Sequence, residues 1–148
     1  MAEKEDSLEK NKELFRKFFK AIEEKNFDLL DELCGKDYIG HWECWGSGPD
    51  GLNEVRGLEN FKKAAGGFTD ALPDLRIVIE ELIAEGDKVV CRFKEMGTHT
   101  GAEFAGLPPT GKRIEWTAMV MYRIANGKIV EEWLNEDSLG ILKQLGAI

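Results

Sequence analysis

The sequence predicts an α+β protein in which helices pack on one face of a curved antiparallel sheet. Apolar residues recur at helical spacing in the first half of the chain and alternate with polar residues in the second half. The pair Asn126-Gly127 marks a tight hairpin between two predicted strands. Helices followed by hairpin-connected strands are typical of this class. At 148 residues the chain fits a single domain.

The first predicted helix begins at Asp6, because Asp6 and Glu9 have the spacing of a capping box. We expect it to run to about Lys25, since its apolar residues recur three, four and seven positions apart. That stripe consists of Leu8, Leu14, Phe15, Phe18, Phe19 and Ile22. A second, short helix is expected around Phe27, Leu29, Leu30 and Leu33.

Three segments are expected next: an aromatic strand over 38–45, a loop over 46–57 and a third helix over 58–72. The loop has four glycines and one proline, which favour turns. Gly66 and Gly67 lie in the middle of the third helix and cost roughly 1 kcal/mol each relative to Ala, which favours a break there.

After Pro73 the spacing changes to the alternation of strands. In the long segment 114–124, alternate residues from Ile114 to Ile124 are apolar and share one predicted face. A terminal helix is expected after the last strand, stopped by Gly146. The predicted elements are strands around 75–80, 88–93, 114–124 and 128–134, and a helix over 138–145.

The composition excludes several classes of function. A net charge of −8 argues against a nucleic-acid or anionic-membrane partner, since both need a concentrated basic surface. No apolar run approaches the roughly 20 residues of a membrane span. The charged start MAEKEDSLEK predicts no secretory signal. Three cysteines without a CxxC pair fit a reducing cytoplasm better than disulfides or zinc. No phosphate-binding loop or nucleophile motif is present.

Several motifs resemble the SnoaL-like polyketide cyclase family of the nuclear transport factor 2-like superfamily. The most specific is GTHTGAEFAGLPPTG at 97–111, followed by GKIVEEW at 127–133, Asp137 and LKQLG at 142–146. Upstream, in the family's order, are DYIGHW at 37–42, VRG at 55–57, PDLR at 73–76 and EGDKVV at 85–90. The resemblance covers nearly the whole chain.

This resemblance implies a cone-shaped curved sheet that encloses a ligand cavity, with no metal or organic cofactor. It also implies a homodimer, and an Asp at position 137 that acts on a ketone-bearing substrate, as in the intramolecular aldol condensation of polyketides. An apolar cavity with a few polar groups is the usual form of a ligand site. The aromatic residues available to line it are Phe15, Phe18, Phe19, Trp42, Trp45, Trp116, Tyr122 and Trp133, and the alternative for each is ordinary core packing.

Asp137 is the candidate acid/base. If no bulge intervenes, alternation along the last strand places one set of residues on one side: Ile129, Glu131, Trp133, Asn135 and Asp137. A carboxylate beside Trp133 in a dry cavity would have a raised pKa, as proton transfer at a ketone requires. The alternative is that Asp137 only caps the terminal helix. Glu131 shares the same nominal face and is a candidate second buried carboxylate.

The two histidines and Asn135 are the remaining polar candidates. His99 and His41 suit a hydrogen-bond donor that polarises a ketone or tunes Asp137, with His99 favoured as catalytic and His41 as a ligand contact. Each can instead be a structural histidine. Asn135 either contacts the ligand or is an exposed strand-end residue.

Three hypotheses of function follow. The first is a cofactor-independent cyclase-like or isomerase-like enzyme in which Asp137 removes an α-proton and a histidine stabilises the enolate. The second is an epoxide hydrolase or dehydratase, which needs a network of carboxylates to activate water, and obvious second acids are scarce. The third is a non-catalytic carrier of an apolar small molecule. Fold transfers between relatives better than reaction does.

Overall fold

The computed structural model describes residues 1–43 and 54–148. Its helices pack over one face of a curved six-stranded sheet, as the α+β prediction requires. No helix among the described residues is both long and apolar enough to cross a membrane. The elements are α1 (Ala2–Glu23), a 3₁₀ turn (Phe27–Leu29), α2 (Leu30–Leu33), β1 (Cys34–Glu43), β2 (Glu54–Arg56), α3 (Leu58–Ala71), β3 (Arg76–Glu85), β4 (Lys88–Thr98), β5 (Arg113–Ala125), β6 (Lys128–Glu136) and α4 (Ser138–Leu145).

The sheet is mixed, with strand order β2-β1-β6-β5-β4-β3. β1 and β6 run parallel, whereas every other neighbouring pair is antiparallel. The expectation of a purely antiparallel sheet is therefore wrong at this one junction. Its cause is topological: β1 belongs to the helical half of the chain and joins the last strand through a long crossover, as parallel pairing requires.

α1 starts earlier than expected and without the predicted capping box. Its N-cap is Met1, and no side chain caps it. Asp6 lies inside the helix, where its carboxylate pairs with Lys10 Nζ at 2.7 Å. Asp6 and Glu9 therefore form no capping box, and each instead pairs with a lysine about one turn further along the exposed face of the helix.

The apolar stripe of α1 packs on the sheet. Phe18 meets the Tyr122 ring edge to face at 5.3 Å, and Phe19 meets Phe93 at 4.8 Å. Phe15 and Phe18 are fully buried. Such aromatic pairs contribute about 0.5–1.5 kcal/mol beyond the area they bury, so this seam holds α1 against β4 and β5.

Strand β1 begins at Cys34, four residues before the predicted start, and is described as far as Glu43. The predicted strand residues Cys44 and Trp45, and the loop up to Asn53, lie outside the described residues. The end of the predicted loop forms β2, which pairs with β1 from Ile39 to His41.

α3 continues through Gly66 and Gly67 rather than breaking there. Its buried residues include Phe61, Ala65 and Thr69, which hold the helix over the core on both sides of the glycines. The Thr69 hydroxyl also donates to the Gly66 carbonyl at 3.1 Å. Tertiary packing therefore outweighs the local cost of two glycines.

The strand half of the chain agrees with the alternation. Asn126 and Gly127 both have positive φ, at 51° and 72°, as a type I′ hairpin requires. On β5, the six alternate residues from Ile114 to Ile124 are all buried. α4 ends at Gly146, which has φ 81° and accepts the left-handed conformation of a helix C-cap.

Substitution of Gly101 tests the packing of the segment that joins β4 to β5. A Cβ at Gly101 would lie 1.7 Å from the Asp70 carbonyl oxygen, a contact that only a backbone shift relieves. We expect Gly101→Ala to lower the free energy of unfolding by about 2–3 kcal/mol in urea titration. Gly66→Ala is the matched control: its Cβ would meet only Phe27, at 3.9 Å, and should stabilise α3 by roughly 0.5–1 kcal/mol. Equal effects of the two substitutions would contradict this packing.

Candidate functional site

A cavity of about 600 Å³ lies between the inner face of the sheet and the helices α1 and α3. Most of its wall is apolar, and three glutamates of the sheet, Glu95, Glu132 and Glu136, interrupt it. The lining side chains from the sheet and helices include Phe19, Ile22, Trp42, Phe61, Phe68, Ile77, Phe93, Glu95, Tyr122, Glu132, Leu134 and Glu136. Both its size and its lining are typical of a site for an apolar small molecule.

The cavity opens between α3 and the segment 102–105. Lys63 and Gly67 on α3, and Ala102 and Glu103 opposite them, line the cavity and are exposed. Phe104 stands beside this opening and packs against Phe68 at 5.8 Å. The charged lining residues Lys63 and Glu103 thus lie at the mouth, whereas the aromatic residues line the interior.

A bulge in β6 determines which side chains face the cavity. Ile124 pairs with Ile129, but Arg123 pairs with Glu131, so Val130 is an extra residue without a partner on β5. One extra residue reverses the alternation of the strand beyond it. Glu132, Leu134 and Glu136 therefore line the cavity. The three residues that simple alternation places inside, Glu131, Trp133 and Asn135, are not among the lining residues.

Glu95 is the buried acid of β4. It faces Trp116 of β5 and is only 9% exposed. Burial raises the pKa of its carboxyl to about 8, with further contributions from the negative charges of Glu136 and Glu132, while the Trp116 indole acts in the opposite direction. At neutral pH Glu95 is therefore mostly a neutral carboxylic acid, able to donate a proton inside an apolar cavity.

Glu132 is the most deeply buried acid of β6 and is 3% exposed. The Trp42 indole Nε1 donates to its Oε1. Burial raises the pKa of Glu132, whereas the donors Trp42, Tyr122 and Tyr38 lower it. The same burial, with the nearby Glu132 charge, keeps the pKa of both tyrosines well above its usual value. Both phenols are thus neutral at neutral pH.

Asp137 is the N-cap of α4. Its Oδ1 accepts from the Gly140 backbone N–H at 2.9 Å, and its side chain is exposed rather than part of the cavity wall. Its backbone N–H donates to the Thr117 carbonyl at 3.2 Å, which joins the start of α4 to β5. The capping role considered from the sequence is thus present, and the catalytic role of Asp137 stays a prediction.

His99 is fully buried and held by its own loop. Its Nδ1 accepts from the Thr110 backbone N–H at 3.3 Å, so its Nε2 carries the proton and donates to the Ala102 carbonyl at 2.9 Å. Its backbone also bonds Lys112 and Gly111. His99 is not a lining residue, but it fixes the segment that forms one side of the cavity mouth.

His41 lies on the outer face of the sheet. Its Nε2 is 2.8 Å from Glu131 Oε2, and its ring stacks on Trp133 at 5.3 Å. The His41 hydrogen bond, with help from Arg123, holds the pKa of Glu131 below its usual value. Asn135 follows on the same face and is exposed. The structure therefore brings His41, Trp133 and Glu131 together, but away from the cavity.

The aromatic candidates divide into wall and core. Trp42 and Phe19 line the cavity, and Tyr122 joins them. Phe15 is fully buried behind Phe19, at 4.4 Å between ring centroids. Trp116 packs edge to face on the cavity residue Phe68 at 5.9 Å and belongs to a second apolar cluster under α4.

Sequence reasoning missed the three glutamates of the wall. Glu95 continues the inward alternation of Val89, Cys91 and Phe93, so a charged residue in phase with apolar neighbours was the available signal. The predicted strand ended at Phe93 and did not reach it. Glu132 and Glu136 have no comparable signal, because the bulge places them out of phase. Within the described residues, no three His, Cys, Asp or Glu side chains converge as metal ligands.

Solved structures resemble this one over most of both chains. The candidate hydroxylase AclR from Streptomyces galilaeus has a TM-score of 0.80 and 27% identity, covering 95% of this chain and 98% of its own. The candidate polyketide cyclase IdmH from Streptomyces antibioticus has a TM-score of 0.78 and 27% identity, covering 92% and 98%. A candidate polyketide cyclase from Bacillus cereus has a TM-score of 0.75 and 27% identity, covering 94% of this chain and 82% of its own.

Among curated proteins the comparison finds no match. The family model described as SnoaL-like polyketide cyclase matches residues 12–145, which include every strand and all the acids of the cavity wall. The chain therefore belongs to the SnoaL-like polyketide cyclase family.

Proposed function

We propose that this protein is a cofactor-independent acid–base enzyme that transfers a proton at a ketone of an apolar small molecule, as in an intramolecular aldol cyclisation. The observation that carries the proposal is the buried Glu95 carboxyl, with a pKa of about 8, on the wall of an otherwise apolar cavity. The family match supports a polyketide as the substrate class.

In the proposed reaction the Glu136 carboxylate removes a proton from the carbon next to the ketone. The enolate carbon attacks a second carbonyl of the same molecule and forms the new C–C bond, while the oxygen of that carbonyl takes the proton of Glu95. Glu95 is then ionised and Glu136 protonated, and transfer of one proton between them restores the starting state. The two groups are near enough for the Glu136 charge to raise the pKa of Glu95.

Epoxide hydrolysis or dehydration is the second candidate. Epoxide hydrolysis needs carboxylates to position and deprotonate a water molecule, whereas dehydration needs a base for a substrate proton and an acid for the departing hydroxyl. Glu95, Glu132 and Glu136 all line the cavity. A neutral acid beside an ionised one also suits the protonation of an epoxide or hydroxyl oxygen.

Substitution of Glu95 tests the acid directly. In a screen of diketide, anthraquinone-type and epoxide compounds, Glu95→Gln should lower kcat about 100-fold or more, because the amide cannot supply the proton. Asp137→Asn should keep most of the activity, since Asn also caps helices well. The exposed Glu115→Gln controls for loss of a strand carboxyl.

The reverse result, an active Glu95→Gln and an inactive but folded Asp137→Asn, would overturn the assignment and restore Asp137 as the acid/base. The compound that is consumed distinguishes cyclisation from epoxide opening. Binding of these compounds without consumption of any of them would indicate a carrier instead.

The pH dependence of stability tests the protonation of Glu95. Its ordinary pKa of 4.5 is raised to about 8 in the folded protein. Between these values the folded state keeps a proton that the unfolded state has lost, so the free energy of unfolding should fall as pH rises. One proton corresponds to a slope of up to about 1.4 kcal/mol per pH unit.

We expect urea titrations from pH 4.5 to 9 to show a smaller slope for Glu95→Gln than for the wild type, with the difference levelling off above pH 8. Glu132 contributes with the same sign to both proteins and cancels in the comparison. Identical slopes would mean that Glu95 is ionised in the folded state.

We also propose that the protein is a homodimer that packs through the outer face of its sheet. This face exposes about half of the side chains of Val78, Ile83 and Met119. Light scattering after size-exclusion chromatography should give twice the mass of one chain, and Met119→Glu should lower the measured mass to that of a single chain. Leu139→Glu, an equally exposed position on α4, should leave the mass unchanged. A monomeric wild type would reject this assembly.

A further inference from the structure

Glu132 lies at the centre of a cross-strand row on the inner face of the sheet. It pairs with Tyr122 of β5 on one side and with Gly40 of β1 on the other. Tyr38 and Trp42 flank Gly40 at two-residue spacing, so their side chains leave the same face of β1. One carboxyl is therefore surrounded by three side chains that can donate hydrogen bonds.

The contacts agree with this placement. Trp42 Nε1 donates to Glu132 Oε1, and the Tyr122 hydroxyl interacts with the same carboxyl. The Tyr38 hydroxyl lies near it as well, although its geometry falls short of a hydrogen bond within the described residues. Trp42, whose indole donates to Glu132, and Tyr122, the cross-strand partner of Glu132, both line the cavity.

Gly40 supplies the space for this arrangement. A Cβ at position 40 would lie 2.9 Å from Trp42 Nε1 and 3.0 Å from Glu132 Oε1. Any larger residue would therefore displace the indole or the carboxylate. Phe61 of α3 then contacts the Trp42 ring edge to face at 6.0 Å, so the indole is held by its nitrogen and by its ring.

We propose that Glu132 is a positioning residue, which acts through Trp42 and Tyr122 to hold a fixed flat wall for the ring system of the ligand. This inference rests on the proposed function only in taking the cavity as the ligand site. Glu132 accepts a hydrogen bond from the Trp42 indole of the wall, whereas Glu95 of β4 supplies the proton. An indole held at its nitrogen loses its rotation, so it offers one face for stacking and less entropy is lost on binding.

The test uses the neutral apolar dye Nile red as the ligand probe, together with the ¹⁵N–¹H resonance of the Trp42 indole. Glu132→Gln keeps the size of the side chain but brings an NH₂ group toward three donors. We expect this substitution to shift the Trp42 indole resonance and to weaken the binding of Nile red about tenfold. Trp42→Phe should weaken dye binding by a similar factor. The double variant should lose little further affinity, because both changes break the same hydrogen bond between Trp42 and Glu132.

Glu131→Gln is the matched control, since it lies next along β6 on the opposite face of the sheet and is not a lining residue. It should leave the Trp42 resonance and the dye affinity unchanged. In Glu132→Gln the Glu95 carboxyl, followed by ¹³C chemical shift, should still titrate near its wild-type pH, because the charge of Glu132 is the smallest of the causes that raise the Glu95 pKa.

An unshifted indole resonance with wild-type dye affinity in Glu132→Gln would overturn the inference, as would losses that simply add in the double variant. If Glu132→Gln does not fold, Gly40→Ala provides the same test by displacing the indole sterically, and wild-type behaviour of that variant would equally reject it. A Glu95 that titrates near 4.5 would instead defeat the proposed acid, and the indole and dye measurements would still decide the role of Glu132.

Discussion

The extra residue in β6 is the constraint on which the rest of the site depends. Val130 has no partner on β5, and the strand beyond it presents the opposite set of side chains to the cavity. A one-residue shift exchanges the faces of a strand completely, because the side-chain period is two. Without it, Glu131 and Trp133 would face inward in place of Glu132 and Glu136. The same shift places His41, Glu131 and Trp133 together on the outer face.

Burial of several carboxyls in an apolar wall is costly, and the structure reduces the cost in two different ways. Burial raises the pKa of Glu132 as well, but hydrogen-bond donors on β1 and β5 oppose that rise. Glu95 keeps its proton, because burial and two neighbouring acids disfavour its charge. The two glutamates thus have different surroundings on one wall, and a site can divide roles among its carboxyls through such differences.

The residues that the family motifs single out mainly build the frame of the cavity. His99 fixes the segment 102–105 through the Ala102 carbonyl, and that segment forms one side of the mouth. Asp137 begins α4, whose Ile141 and Leu145 cover the second apolar cluster. A motif read along the chain therefore reports positions that the fold needs as well as positions that contact a ligand, and only the direction of each side chain separates the two.

The sequence by itself determined the class of fold, the hairpin at Asn126-Gly127, the buried face of β5, the terminal helix and the membership of the family. These features depend on local spacing and turn chemistry, which are readable along the chain. Tertiary structure alone decided the parallel pairing of β1 with β6, the continuity of α3 through two glycines and the acids of the cavity wall. Pairing across 92 residues, as between Gly40 and Glu132, helix packing over a core and a single-residue bulge have no local signature, because each depends on which partner strand or helix lies alongside. The chemistry of the site therefore depends on the tertiary structure, since the pKa of Glu95 is raised by burial and by the charges of Glu136 and Glu132, which are far from it in sequence.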